Sequence, residues 1–74
     1  MPHINIKYFP VPLSQEQKDT LVTSLTNAAR NAFGCDAGVI SIALEPIGGD
    51  AWNEQVYIPE IKQRKQLLCK VPNY

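Results

Sequence analysis

The fold class that this sequence predicts is α/β: one domain over residues 1–74 in which two parallel strands are joined through a helix and a second helix follows. Three observations predict it. The stretch His3-Ile4-Asn5-Ile6-Lys7-Tyr8-Phe9 alternates with the period of a strand, residues 21–33 repeat apolar side chains at three- and four-residue steps, and Val39-Ile40-Ser41-Ile42-Ala43-Leu44 is a short apolar run.

In the first strand, His3 to Phe9, Ile4, Ile6 and Tyr8 share one face and are expected to meet the helix layer. His3, Asn5, Lys7 and Phe9 share the other. Pro2 has the parity of the core-facing set but stands at the strand end, open to a pocket between elements. Pro10 and Pro12 end the strand, because neither has an N–H to donate to a ladder.

Ser14 with Gln17 three residues on forms a capping box and starts the first helix. Its apolar stripe is Leu21, Val22, Leu25, Ala28, Ala29, Ala32 and Phe33, and Gly34 is expected just beyond its C-terminal cap. The run Val39 to Leu44 is rich in β-branched residues and reads as a strand covered on both faces, at the centre of a sheet. Strand, helix and strand in this order predict a right-handed crossover between parallel strands. Gly48-Gly49-Asp50 reads as a turn, with Asp50 capping a short helical turn through Trp52 and Glu54. Pro59 suits the first turn of a last helix reaching about Lys70, with Ile58, Ile61, Leu67 and Leu68 as its apolar stripe. Lys62, Arg64 and Lys65 then form a solvated face, and Pro72 lies beyond the end.

A chain this short buries only about 60% of the surface that its unfolded form exposes, so an oligomer that completes the sheet is expected. Apolar residues make up 45% of the chain, which excludes a disordered segment. Seven basic and seven acidic residues cancel, which argues against a nucleic-acid surface. No apolar run approaches the roughly 20 residues of a membrane span, and the amino terminus lacks the pattern of a secretory signal; the expected location is cytoplasmic. Cys35 and Cys69 have neither metal-ligand spacing nor a redox pattern, so no metal site is expected.

The residue with distinctive chemistry is Pro2. Removal of Met1 would leave it with a free secondary amine, whose ordinary pKa is about 8. Desolvation disfavours the charged form, so an apolar pocket would hold the nitrogen neutral near pH 7, as a general base requires.

Pro2-His3-Ile4, Ile6-Lys7, Phe9-Pro10, the helix start Ser14 to Leu21, Ile40-Ser41-Ile42-Ala43-Leu44, Trp52 and Lys70-Val71-Pro72-Asn73-Tyr74 together resemble the 4-oxalocrotonate tautomerase family. The likeness spans most of the chain and is greatest to the small dimeric phenylpyruvate-type branch. It implies a β-α-β unit assembled as a homodimer, with a hexamer as the alternative. The implied activity is that of an isomerase, a keto–enol tautomerase acting on 2-oxo acids such as phenylenolpyruvate. Pro2 would serve as both base and acid, so no cofactor is implied.

Three further site residues follow from the resemblance. Trp52 falls where the family places an aromatic cover beside the proline. Phe9 falls at an apolar lining position, in its own pocket or a neighbouring subunit's. Ser41 falls where the hexameric enzyme has a substrate-holding arginine, and the second such arginine would lie near Val11, Pro12 or Leu13. Without these paired planar cations, dicarboxylates should be poor substrates, and aromatic or largely apolar enols that stack on Trp52 and Phe9 should be better. Lys7, His3 and backbone amides remain candidates for the single carboxylate. The competing reading is a non-catalytic protein, binding a small ligand or serving in assembly, that keeps the fold without the arginines.

Overall fold

A computed structural model describes residues 1–74. Two strands, β1 (His3–Tyr8) and β2 (Ser41–Pro46), pair in parallel, with His3 opposite Ser41 and Tyr8 opposite Pro46. The 19-residue helix α1 (Gln15–Phe33) connects them. A second helix, α2 (Asn53–Lys62), follows β2. This is the β-α-β arrangement that the sequence predicts.

The alternation in β1 is realised at its start: Ile4 and Ile6 are half-buried while His3 and Asn5 are exposed. Phe9 lies just past the strand, where Pro10 has no N–H with which to continue the ladder. At the head of α1 the Ser14 hydroxyl accepts from the Gln17 N–H at 3.1 Å, and the Gln17 side chain accepts from the Ser14 N–H at 2.8 Å. At its other end Gly34 takes the left-handed conformation, φ 62°, and donates to the Arg30 carbonyl at 2.8 Å.

Only part of the expected apolar stripe of α1 turns inward. Ala29 is buried and Leu21 and Leu25 are half-buried, whereas Val22, Ala28, Ala32 and Phe33 are exposed. Val22 and Ala28 lie along the helix between Leu21 and Ala29, so these exposed positions belong to a face that a two-stranded sheet leaves uncovered.

Three expected boundaries are corrected. β2 begins at Ser41 rather than Val39, because the Asp36 carboxylate accepts from the Gly38 N–H at 3.0 Å and winds Ala37–Val39 into a tight turn. Within one copy β2 has a single strand neighbour, β1. Asp50 does not cap a helix; α2 starts without a side-chain cap, after a turn closed by Ala51 N–H to the Gly48 carbonyl at 2.9 Å.

The third correction concerns Pro59, which lies inside α2 rather than at its start. In an ordinary helix its ring would strike the Gln55 carbonyl. The helix is instead wound wide, and its closing bond runs over five residues, from Gln63 N–H to the Ile58 carbonyl at 3.0 Å. It ends at Lys62. A separate tight turn spans Lys65–Leu67, Leu67 is exposed, and residues 68–74 carry no helix or strand. No helix is long and apolar enough to cross a membrane.

Burial is sparse: Ala29, Ile47 and Val56 are the only buried residues, and each keeps 6–7% of its surface exposed. The accessible surface is 5729 Å² for 8.3 kDa, against roughly 4,600 Å² for a compact monomer of that mass. The radius of gyration is 13.9 Å, against about 11 Å for a compact chain. The body is flat, 36 × 32 × 19 Å, and Phe9, Val11, Phe33 and Val71 are each more than half exposed. Such a unit needs oligomerisation to cover its apolar surface.

Candidate active site

The candidate residues gather in two clusters at opposite ends of β1. At the head of the strand Pro2 is half-buried, and its carbonyl accepts from the Ser41 N–H at 3.2 Å. That bond extends the parallel ladder by one residue, so main-chain atoms fix the position of Pro2. Beside it, the His3 ring Nδ1 and the Ser41 hydroxyl are 2.6 Å apart, joining the first register pair of the sheet. Met1 is 99% exposed and projects from the cluster. While Met1 is attached the Pro2 nitrogen is an amide and has no basicity to offer.

The second cluster is aromatic. The Phe9 and Trp52 rings meet edge to face, 4.9 Å between centroids and 87° between planes. The Trp52 indole Nε1–H donates to the Tyr74 hydroxyl at 3.3 Å, and the Tyr74 ring lies 6.0 Å from that of Tyr57. Lys7, Tyr8, Phe9, Trp52 and Tyr74 line an open recess of about 510 Å³. A larger hollow, about 760 Å³, runs along the first turns of α1, where its lining is polar apart from Leu21 and includes none of the candidate residues.

The charge in the aromatic recess is already matched. Lys7 pairs with the Glu60 carboxylate. The hydrogen bond to Glu60 holds the ammonium above its ordinary 10.5; partial desolvation opposes this, and the charges of Glu60 and Glu45 reinforce it. Glu45 in turn accepts from the Asn5 side chain at 3.1 Å. Of the cationic candidates for a substrate carboxylate, Lys7 is therefore committed to a partner within the chain. His3 lies in the Pro2 cluster.

The four residues singled out from the sequence thus form two pairs, Pro2 with Ser41 and Phe9 with Trp52. Within one copy the pairs stand roughly 20 Å apart along extended β1. Sequence reasoning missed Tyr74 as part of the recess, and it missed the Lys7–Glu60 pair. Neither has a local signal, since Tyr74 reaches Trp52 across 22 residues and Lys7 reaches Glu60 across 53.

Comparison with known proteins adds to this geometry. Residues 2–52 match the family described as Tautomerase enzyme, a span that begins at Pro2 and closes on Trp52. Over 74 residues the chain is 38% identical to Tautomerase PptA of Pectobacterium carotovorum, with 100% of this chain and 97% of that protein covered. It is 36% identical to Tautomerase PptA of Pectobacterium atrosepticum and 34% identical to that of Enterobacter sp. strain 638, with the same coverage.

Proposed function

We propose, from the premise that this chain belongs to the tautomerase family, that it interconverts the enol and keto forms of aromatic 2-oxo acids such as phenylenolpyruvate, with Pro2 as base and acid. Family membership makes the chain an isomerase of the keto–enol type; substrate class and the role of Pro2 are the proposal. In the enol-to-keto direction the hydroxyl on C2 gives up a proton and C3 gains one. A nitrogen that alternates between neutral and protonated forms can do both, with no electrons left over and no co-reactant.

The observation that carries this is the anchoring of Pro2. Its carbonyl is held by the Ser41 amide while Met1 is 99% exposed, so Met1 can leave without disturbing the residue behind it. The freed amine would stand half-buried at the strand head. Apolar surroundings are needed to keep it neutral, and the matching apolar surface is the Phe9–Trp52 recess at the other end of the strand.

Because these ends are too far apart to share a substrate within one copy, the proposed site takes Pro2 and Ser41 from one subunit and Phe9 and Trp52 from another. A homodimer is the simplest assembly that supplies both. The sparse core and flat shape described above support it. Ring stacking would then hold the substrate, and an aromatic enol gains more from this recess than a dicarboxylate would.

The test is ketonisation of phenylenolpyruvate, followed in the ultraviolet, with two forms of the protein distinguished by intact mass. Activity is expected in the form without Met1 and absent in the form that retains it. Equal rates above buffer in both forms would remove Pro2 from the mechanism, and no rate above buffer in either would favour the binding-protein alternative.

A further inference from the structure

We infer that Tyr74 is a positioning residue for the aromatic recess, holding the Trp52 indole where its face meets the ring of an aromatic 2-oxo acid and so favouring aromatic over small substrates. This rests on the reading of the recess as the substrate site given above.

Trp52 is restrained from two directions. Phe9 meets it edge to face at 4.9 Å, a contact that tolerates rotation of the indole in its own plane. The Nε1–H is a donor only, and its bond to the Tyr74 hydroxyl is directional, so it removes the freedom that Phe9 leaves. Trp52 precedes α2 without a side-chain cap to fasten the helix start, so its side-chain partners do the fixing.

Tyr74 is itself seated. Residues 68–74 have no helix or strand, yet the Tyr74 ring lies 6.0 Å from that of Tyr57, and it shares the lining of a third hollow with Ile61, Leu68 and half-buried Pro72. The Tyr74 ring thus stands between the recess and α2, with the Tyr57 ring as its aromatic neighbour on the α2 side. The residue remains 65% exposed, so changing its side chain removes little buried surface.

The test uses Met1-free protein, Tyr74→Phe and Tyr74→Ala. The first readout needs no activity: Trp52 is the one tryptophan, so one indole N–H resonance reports on the bond. Its exchange with water should quicken about tenfold in Tyr74→Phe, the factor expected for loss of one neutral hydrogen bond. Binding of 3-phenylpropionate, read through Trp52 emission, should weaken about fivefold in Tyr74→Phe and further in Tyr74→Ala. Deuterium exchange at C3 of phenylpyruvate should show a KM raised by a similar factor with kcat little changed, while the KM for 2-oxobutanoate stays as it was.

Unchanged indole exchange in Tyr74→Phe would overturn the inference. So would an equal rise in KM for both acids, which would mark a general structural role. If the Met1-free wild type turns over neither acid, the tautomerase proposal fails, and indole exchange with phenylpropionate binding still decides the role of Tyr74.

Discussion

Two inactive variants that restore activity when mixed would reveal a site built from two copies. Pro2→Ala replaces the proposed base, and Trp52→Ala removes the recess wall together with an aromatic pair worth about 1 kcal/mol beyond its buried area. The two positions stand roughly 20 Å apart within a copy, so a shared site must draw them from different copies. In a two-fold dimer randomised at equal amounts, half the dimers are mixed. Each mixed dimer then has one site with both residues intact and one with neither, so about a quarter of all sites work. The assay is phenylenolpyruvate ketonisation before and after subunit exchange, with exchange verified by native mass spectrometry. The primary amine of Ala can retain some basicity, so the rate of each variant alone is subtracted. Recovery to about a quarter of the wild-type rate is expected. No recovery above the sum of the two variants, after verified exchange, refutes the shared site.

Four further outcomes follow from the geometry. Gly34→Ala should lower stability in urea by about 1 kcal/mol, since φ is 62° there, while Gly49→Ala, with open space and no such conformation, should stay within about 0.5 kcal/mol. Ser14→Ala should cost about 1 kcal/mol in the same measurement by removing the cap of α1. The Lys7 ammonium is held above its ordinary 10.5 in the folded chain, so its stabilising effect is complete below that value and is lost as pH rises through the higher folded value. Lys7→Met should therefore unfold at lower urea than wild type near neutrality, and the gap should close in strong alkali. Finally, the midpoint of thermal unfolding should rise with protein concentration, because a chain with three buried residues draws its stability from association.

The parts of the fold that were legible in the sequence are those governed by local chemistry. Ser14 and Gln17 define a cap by themselves, Gly34 marks an end by its freedom at positive φ, and alternation from His3 to Ile6 gives the faces of a strand. Local chemistry misled where two tendencies competed. Val39 has strand propensity, but Asp36 three residues earlier offers a hydrogen bond that winds the chain first. Pro59 suits a helix start, yet the helix begins before it and widens around it. Of the candidate site, Pro2 was visible through its chemistry as a potential amine, and Ser41, Phe9 and Trp52 through resemblance. The pairing of these residues into two clusters was not visible, because it depends on strand register and on contacts between residues far apart. Tyr74 illustrates this: nothing near it in sequence points to Trp52.

The bond from the Ser41 N–H to the Pro2 carbonyl has an evolutionary consequence. Both partners are main-chain atoms, so any residue with an amide hydrogen at position 41 can keep the proline in place. Side chains around the strand head are then free to drift, exchanging serine for a cation or an apolar group, without displacing the residue proposed to move the proton. An ancestor with such an anchor could change what it accepts by single substitutions while its central chemistry stayed intact, which would let one small scaffold diversify quickly.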